Sequence, residues 1–93
     1  MNNAYKTCLG QVISKKRRIA NINRNRLSAM TGLSRLTIRK IETGEANPTL
    51  DVLLRMTQGI GISLGEAMTE CERQLQELPP SALDEPYVLV DNL

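Results

Sequence analysis

The chain has 93 residues, of which 41% are hydrophobic and 2% aromatic, and its formal net charge is +2. This length predicts one small domain with a modest core. Histidine is absent and the only cysteines are Cys8 and Cys71, which excludes zinc sites of the usual Cys/His spacing. No apolar run approaches a membrane span and no signal-peptide pattern opens the chain. We therefore expect a cytoplasmic protein with no membrane contact.

The charge is distributed very unevenly along the chain. Residues 42–93 hold only two basic side chains, Arg55 and Arg73, against ten acidic ones. Residues 1–41 hold no acidic side chain and ten basic ones, namely Lys6, Lys15, Lys16, Arg17, Arg18, Arg24, Arg26, Arg35, Arg39 and Lys40. This asymmetry predicts a polyanionic partner for the first half. A solvated basic face is the alternative.

A first helix is predicted from about Tyr5 to Ala20. The apolar residues that form a stripe at helical spacing are Leu9, Val12, Ile13 and Ala20. The basic run KKRR at 15–18 suits the negative end of the helix dipole. Asn21 is expected in the left-handed conformation that ends helices.

Two short helices joined by a tight turn are predicted between Asn23 and Gly44. Asn23 and Ser34 are N-cap residue types, and Gly32 stands where the helix before the turn should end. That helix is expected over 24–31, and the helix after the turn over 35–42. In the helix over 35–42, Ile38 and Ile41 should face inward, which leaves an outer face of Arg35, Leu36, Arg39 and Lys40. A glycine turn between such helices is typical of a helix-turn-helix DNA reader.

Two more helices are predicted downstream. Thr49 should cap the fourth, which ends near Ile60 at Gly61 and whose predicted buried face carries Leu50, Leu53, Leu54 and Met56. The fifth helix follows Ser63 and carries a heptad-like seam of Leu64, Met68, Cys71, Leu75 and Leu78. We expect the second half of that seam, Cys71, Leu75 and Leu78, to contact a second subunit. The alternative is docking along the first helix.

The C-terminal segment begins where Pro79 and Pro80 end the fifth helix. Its β-type residues Tyr87, Val88, Leu89 and Val90 predict one short strand, which needs a partner for its backbone groups. Pairing with its own copy across a two-fold axis would supply that partner. A disordered tail is the alternative.

The chain resembles the phage repressor and Cro family of helix-turn-helix regulators, the Xre type. LGQVISKKRR at 9–18 resembles that family's first helix, and TGLSRLTIRKIETGEANPTLDVLLRMTQGIGIS at 31–63 resembles its turn, recognition helix, loop and fourth helix. The resemblance spans roughly residues 9–68. It implies an all-α, five-helix, lambda-repressor-like domain over 1–68. Residues 69–93 would add the rest of helix 5 and a dimerising C-terminal arm.

The resemblance also implies a role for each matched residue. Base contacts fall on Arg35, Leu36, Arg39 and Lys40, because Arg and Lys suit guanine and Leu36 suits a thymine methyl. Phosphate contacts fall on Asn23, Arg24, Thr37, Thr43, Ala46 and Asn47. Lys16 is expected either to snorkel or to reach a phosphate. Arg17 is expected to pair with Glu42. The chain departs from the family's usual glutamine at Arg24 and leucine at Lys16.

The expected function is sequence-specific binding of double-stranded DNA, as a dimeric repressor on a palindromic operator. No catalytic constellation is visible in the sequence, so we expect neither an enzyme nor a cofactor. An antitoxin that also binds a toxin through its acidic C-terminal segment is one alternative, and co-purification of a neighbouring gene product would support it. A protein-interaction module without a DNA role is the other, and failure to bind any duplex would support that.

Overall fold

The computed structural model describes residues 3–76, and within them the chain folds into five helices. These are α1 (Asn3–Ile19), α2 (Arg24–Thr31), α3 (Arg35–Glu42), α4 (Leu50–Ile60) and α5 (Leu64–Gln76). The described part contains no strand, which confirms the all-α fold predicted from the sequence. The predictions for Leu78, for a strand at Tyr87, Val88, Leu89 and Val90, and for the C-terminal arm lie outside the described residues.

The helix boundaries come from local capping interactions. Asn23, Ser34 and Thr49 each accept a hydrogen bond from a backbone amide in the first turn of the following helix. Ser63 and Glu66 form a reciprocal capping box at the start of α5. Gly32 closes α2 at a φ of 77°, and Asn21 follows α1 at a φ of 62°. The sequence predicted each of these caps and helix ends except the capping box formed with Glu66.

The first helix differs at both ends from the prediction. It begins at Asn3 rather than Tyr5 and ends at Ile19. Ala20 lies beyond the helix and is exposed, so its predicted place in the apolar stripe is wrong. Leu9, Val12 and Ile13 are buried as predicted.

The core lies between α1 and the other helices. Its fully buried side chains are Leu9, Ile13, Leu27, Ile38, Met56, Thr57 and Cys71. Leu50 and Leu54 were predicted to be buried but are 65% and 38% exposed. The inward face of α4 is instead formed by Leu53, Met56, Thr57 and Ile60, and the helix is rotated so that the other two leucines point away from it.

α5 packs along α1 in the same chain. The Tyr5 hydroxyl donates to the carbonyl of Met68, and the Cys71 thiol donates to the carbonyl of Tyr5. Cys71 is completely buried there, so it offers no surface to a second subunit and the interface role predicted for it is wrong. Leu75 is half-buried against the same core. As far as Gln76, α5 therefore follows the alternative prediction, in which it docks along the first helix of its own chain.

The position of α3 depends on a close approach to α1 at Gly10. A Cβ at Gly10 would overlap the backbone carbonyl of Ile41 and lie 2.8 Å from that of Glu42. Only glycine lets the two backbones come this close. α1 thereby supports the C-terminal end of α3. Within residues 3–76, no helix is long and apolar enough to cross a membrane.

Candidate nucleic-acid interface

The turn between α2 and α3 is fixed by side-chain hydrogen bonds. The Ser28 hydroxyl donates to the carbonyl of Leu33 at 2.6 Å, and Thr31 Oγ1 accepts from the amide of Leu33 at 3.2 Å. Leu33 itself packs against the core. These contacts set the angle at which α3 leaves the turn, because they tie both sides of Gly32 together.

α3 presents one face to the core and the other to solvent. Ile38 and Ile41 are buried, as predicted. All four residues predicted to contact bases, Arg35, Leu36, Arg39 and Lys40, are exposed, with Leu36 at 53%. An apolar side chain this exposed on an otherwise basic face is available to an apolar group of a partner. The base contacts themselves stay a prediction.

An open groove runs between the N-terminal ends of α2 and α3. Its lining contains four arginines and no acidic side chain, and consists of Arg17, Asn23, Arg24, Asn25, Ser34, Arg35, Leu36 and Arg39. The positive ends of two helix dipoles add to this field. The groove is therefore electrostatically suited to an anion.

Glu42 is the centre of a buried ion-pair network behind this groove. It accepts from Arg17 through two bonds, Nε to Oε2 at 2.6 Å and Nη2 to Oε1 at 3.0 Å. Arg24 Nε donates to the same Oε1 at 3.0 Å. Glu42 is 4% exposed and Arg17 is 7% exposed. One carboxylate thus links α1, α2 and α3.

The structure brings the expected partners Arg17 and Glu42 together and adds Arg24. A carboxylate at the C-terminal end of a helix faces the negative end of the dipole, and two guanidinium groups offset that cost. Arg17 also donates through Nη1 to the carbonyl of Ile22, which fixes the loop before α2. No local pattern in the sequence pointed to Arg24 as a second partner, because its contact forms only when α2 packs on α3.

The residues predicted to contact phosphate lie in different surroundings. Asn23 and Thr43 are exposed near the two ends of the helix pair, while Thr37 and Ala46 are half-buried. Asn47 is exposed and accepts from Lys6 Nζ at 3.1 Å.

Lys16, on α1, forms an ion pair with α5. Its Nζ is 3.4 Å from Glu70 Oε1 on α5, so its charge is already engaged there. This position does not favour the phosphate contact predicted for Lys16.

Three polar contacts made by α3 and the residues next to it were not predicted. Arg35 Nη1 donates to Asn25 Oδ1 at 2.9 Å, across the groove from α3 to α2. Glu45 accepts from Thr43 Oγ1 at 2.7 Å and lies 3.5 Å from Arg39 Nη1. The residues of the first pair are ten positions apart, so only the packed helix pair reveals the contact. Glu45 lies just after the recognition helix, in a loop whose path the sequence did not define.

The clear pKa shifts lie away from this surface, on the α1–α5 side. Burial, and then the nearby Glu72 carboxylate, raise the pKa of Tyr5 to about 12. Burial, and then a hydrogen bond with Cys8, raise the pKa of the Cys71 thiol. Both groups stay neutral near pH 7 and act as packing residues rather than as reactive ones.

The capped helix pair, its glycine turn and the basic outer face of α3 define a helix-turn-helix DNA-binding domain. A family model described as helix-turn-helix matches residues 13–66, which is more than half of the chain. The chain belongs to this family, of the Cro and phage-repressor type, and is a DNA-binding transcriptional regulator. A search of curated proteins found no match.

Proposed function

We propose that the protein is a sequence-specific repressor that binds a palindromic operator as a homodimer, with α3 in the major groove. The observation that carries this proposal is the exposed outer face of α3. Arg35, Leu36 and Arg39 line the arginine-rich groove, and Lys40 is exposed on the same helix. A major groove admits one α-helix, and base edges there present distinct hydrogen-bonding patterns. The buried Ile38 and Ile41 keep this face turned outward.

Base readout is assigned to the side chains that project from this face. Arg35 and Lys40 match the N7 and O6 acceptors of guanine, and Leu36 matches the methyl group of thymine. Arg39 lies beside them on the same helix. We therefore expect at least one guanine in each half-site.

Phosphate contacts would supply most of the affinity and its salt dependence. Arg24 is the strongest candidate, since its Nε–H is held by Glu42 and its two terminal nitrogens remain chemically able to bind a phosphate. Asn23, Thr37, Thr43 and the loop at Ala46 and Asn47 complete the proposed set.

Selection of bound sequences from random duplex DNA tests this function. The expected result is enrichment of an inverted repeat with a guanine in each half. Half-sites should be about 34–36 Å apart, one helical turn, because a two-fold dimer presents two recognition helices. Recovery of unenriched sequences from a folded protein would refute sequence-specific binding.

Dimerisation is assigned to the segment that follows the described helices. α5 packs on α1 and Leu75 contacts the core, so the candidates that remain from the predicted interface are Leu78 and the run Tyr87, Val88, Leu89 and Val90. We propose that residues 77–93 form an isologous interface, in which each surface meets its own copy.

Truncation after Gln76 is expected to convert the dimer to a monomer and to weaken operator binding. The five helices should be retained, because the contacts described between them join residues of 3–76 to one another. Sedimentation velocity at low micromolar concentration measures the mass, and circular dichroism measures helical content. Leu75→Glu is a poor test of this interface, because Leu75 already packs on the core. A truncated protein that still sediments as a dimer would place the interface elsewhere.

A further inference from the structure

Glu45 is an exposed carboxylate in the middle of the proposed DNA-binding surface. Among the residues up to this point of the chain, the only other acid is Glu42, which is buried and bound to two arginines. The Glu45 side chain is 52% exposed. It is thus the first acidic group along the chain that solvent, or a polyanion, would meet.

A single oxygen of Glu45 engages two groups that are proposed to contact DNA. Oε2 accepts from the hydroxyl of Thr43 at 2.7 Å and lies 3.5 Å from Arg39 Nη1. A carboxylate oxygen offers these donors the same anionic acceptor as a phosphate oxygen does. Thr43 and Arg39 cannot use the same hydrogens for both partners. A DNA group that binds the Thr43 hydroxyl, or the Arg39 hydrogens nearest Glu45, must therefore displace Glu45 from them.

We propose that Glu45 is an internal competitor of DNA for Thr43 and Arg39, and that it lowers affinity for duplex DNA of any sequence. This inference rests on the proposed function. An exposed ion pair is weak, so the competition tempers binding without preventing it. Its effect extends to unrelated DNA, because the phosphate proposed to bind Thr43 carries no sequence information. A carboxylate here also repels the phosphate backbone directly.

The test compares Glu45→Gln with Glu72→Gln as a matched control. Glu72 is also an exposed glutamate that accepts from a hydroxyl, that of Tyr5 at 3.3 Å, but it lies on α5. Both changes remove one negative charge and keep the side-chain volume. Binding is measured by fluorescence anisotropy on the selected operator and on an unrelated duplex of equal length, over a range of salt concentrations.

Glu45→Gln is expected to tighten binding to both duplexes by on the order of fivefold and to steepen the salt dependence by about one unit. Glu72→Gln should change the affinity for either duplex by no more than about twofold, since its charge is remote from the DNA. In a Thr43→Val, Arg39→Ala background, most of the gain should disappear, because the competed groups are gone. A gain that persists there would show general repulsion rather than competition, and would overturn the proposal.

The outcomes also separate this inference from the function on which it rests. If the wild-type protein binds the operator and Glu45→Gln gains no more than Glu72→Gln, the competitor role is refuted and the function stands. If the wild-type protein binds no duplex, both are refuted. Thermal unfolding of each variant confirms that the fold is retained.

Discussion

Replacing Glu42 by alanine is expected to lower the free energy of unfolding by about 3–5 kcal/mol. The change leaves Arg17 buried, at 7% exposure, and within residues 3–76 its remaining hydrogen bond is the one to the carbonyl of Ile22. An uncompensated buried charge is costly because it loses hydration without gaining a counter-ion. The loss also frees Arg24, so α1, α2 and α3 lose their shared contact. Urea denaturation at neutral pH measures the effect.

Glu45→Ala is the matched control for this change. Glu45 is half exposed and its ion pair with Arg39 lies on the surface, so its removal should alter stability by no more than about 0.5 kcal/mol. Glu42→Gln should lower the free energy of unfolding by an amount between those of Glu42→Ala and Glu45→Ala. The amide keeps one acceptor for the arginines but loses the charge. Equal denaturation midpoints for Glu42→Ala and Glu45→Ala would contradict the idea that burial makes the Glu42 network stabilising.

The starts of α2 and α3 and the end of α2 were predictable because their causes are local. An N-cap such as Asn23 or Ser34 satisfies an amide only three residues away, and Gly32 ends α2 through its own backbone conformation. The inward placement of Ile38 and Ile41 follows from helical spacing alone. These features depend on residues close together in the sequence and not on how the helices pack.

The errors at Leu50, Leu54 and Cys71 concern how helices rotate and pack against one another. Leu50 and Leu54 share an apolar stripe with Leu53, yet the rotation of α4 leaves them exposed. Cys71 continues a heptad-like seam, and the seam itself does not say whether α1 or a second chain fills it. The packed structure answers this for Cys71, which meets Tyr5 of its own chain.

At the candidate site too, local features were predictable and contacts between helices were not. The outward residues of α3 follow from periodicity, and the pairing of Arg17 with Glu42 was implied by the family resemblance. The contact of Arg24 with Glu42, 18 residues away, depends on the angle between α2 and α3. So does the bond between Asn25 and Arg35. Such contacts belong to the tertiary structure and leave no pattern in the sequence.

Arg35→Ala and Lys40→Ala are each expected to cost about 1–3 kcal/mol of binding free energy at the preferred operator. Each should also relax the base preference at one position of each half-site. Both side chains are exposed and make no core contact, so the fold should be unaffected. Selection from random duplexes, repeated with each variant, identifies the position that loses its preference.

Arg24→Ala gives the contrasting result that separates base readout from phosphate binding. It should weaken binding to all duplexes nearly equally and reduce the salt dependence by about one unit, since a phosphate contact is blind to sequence. Its stability must be measured alongside, because Arg24 is also a partner of Glu42. If Arg35→Ala and Lys40→Ala left the selected sequence unchanged, α3 would not be the element that enters the groove. If Arg24→Ala instead altered base preference at one position, Arg24 would belong with the residues that read bases.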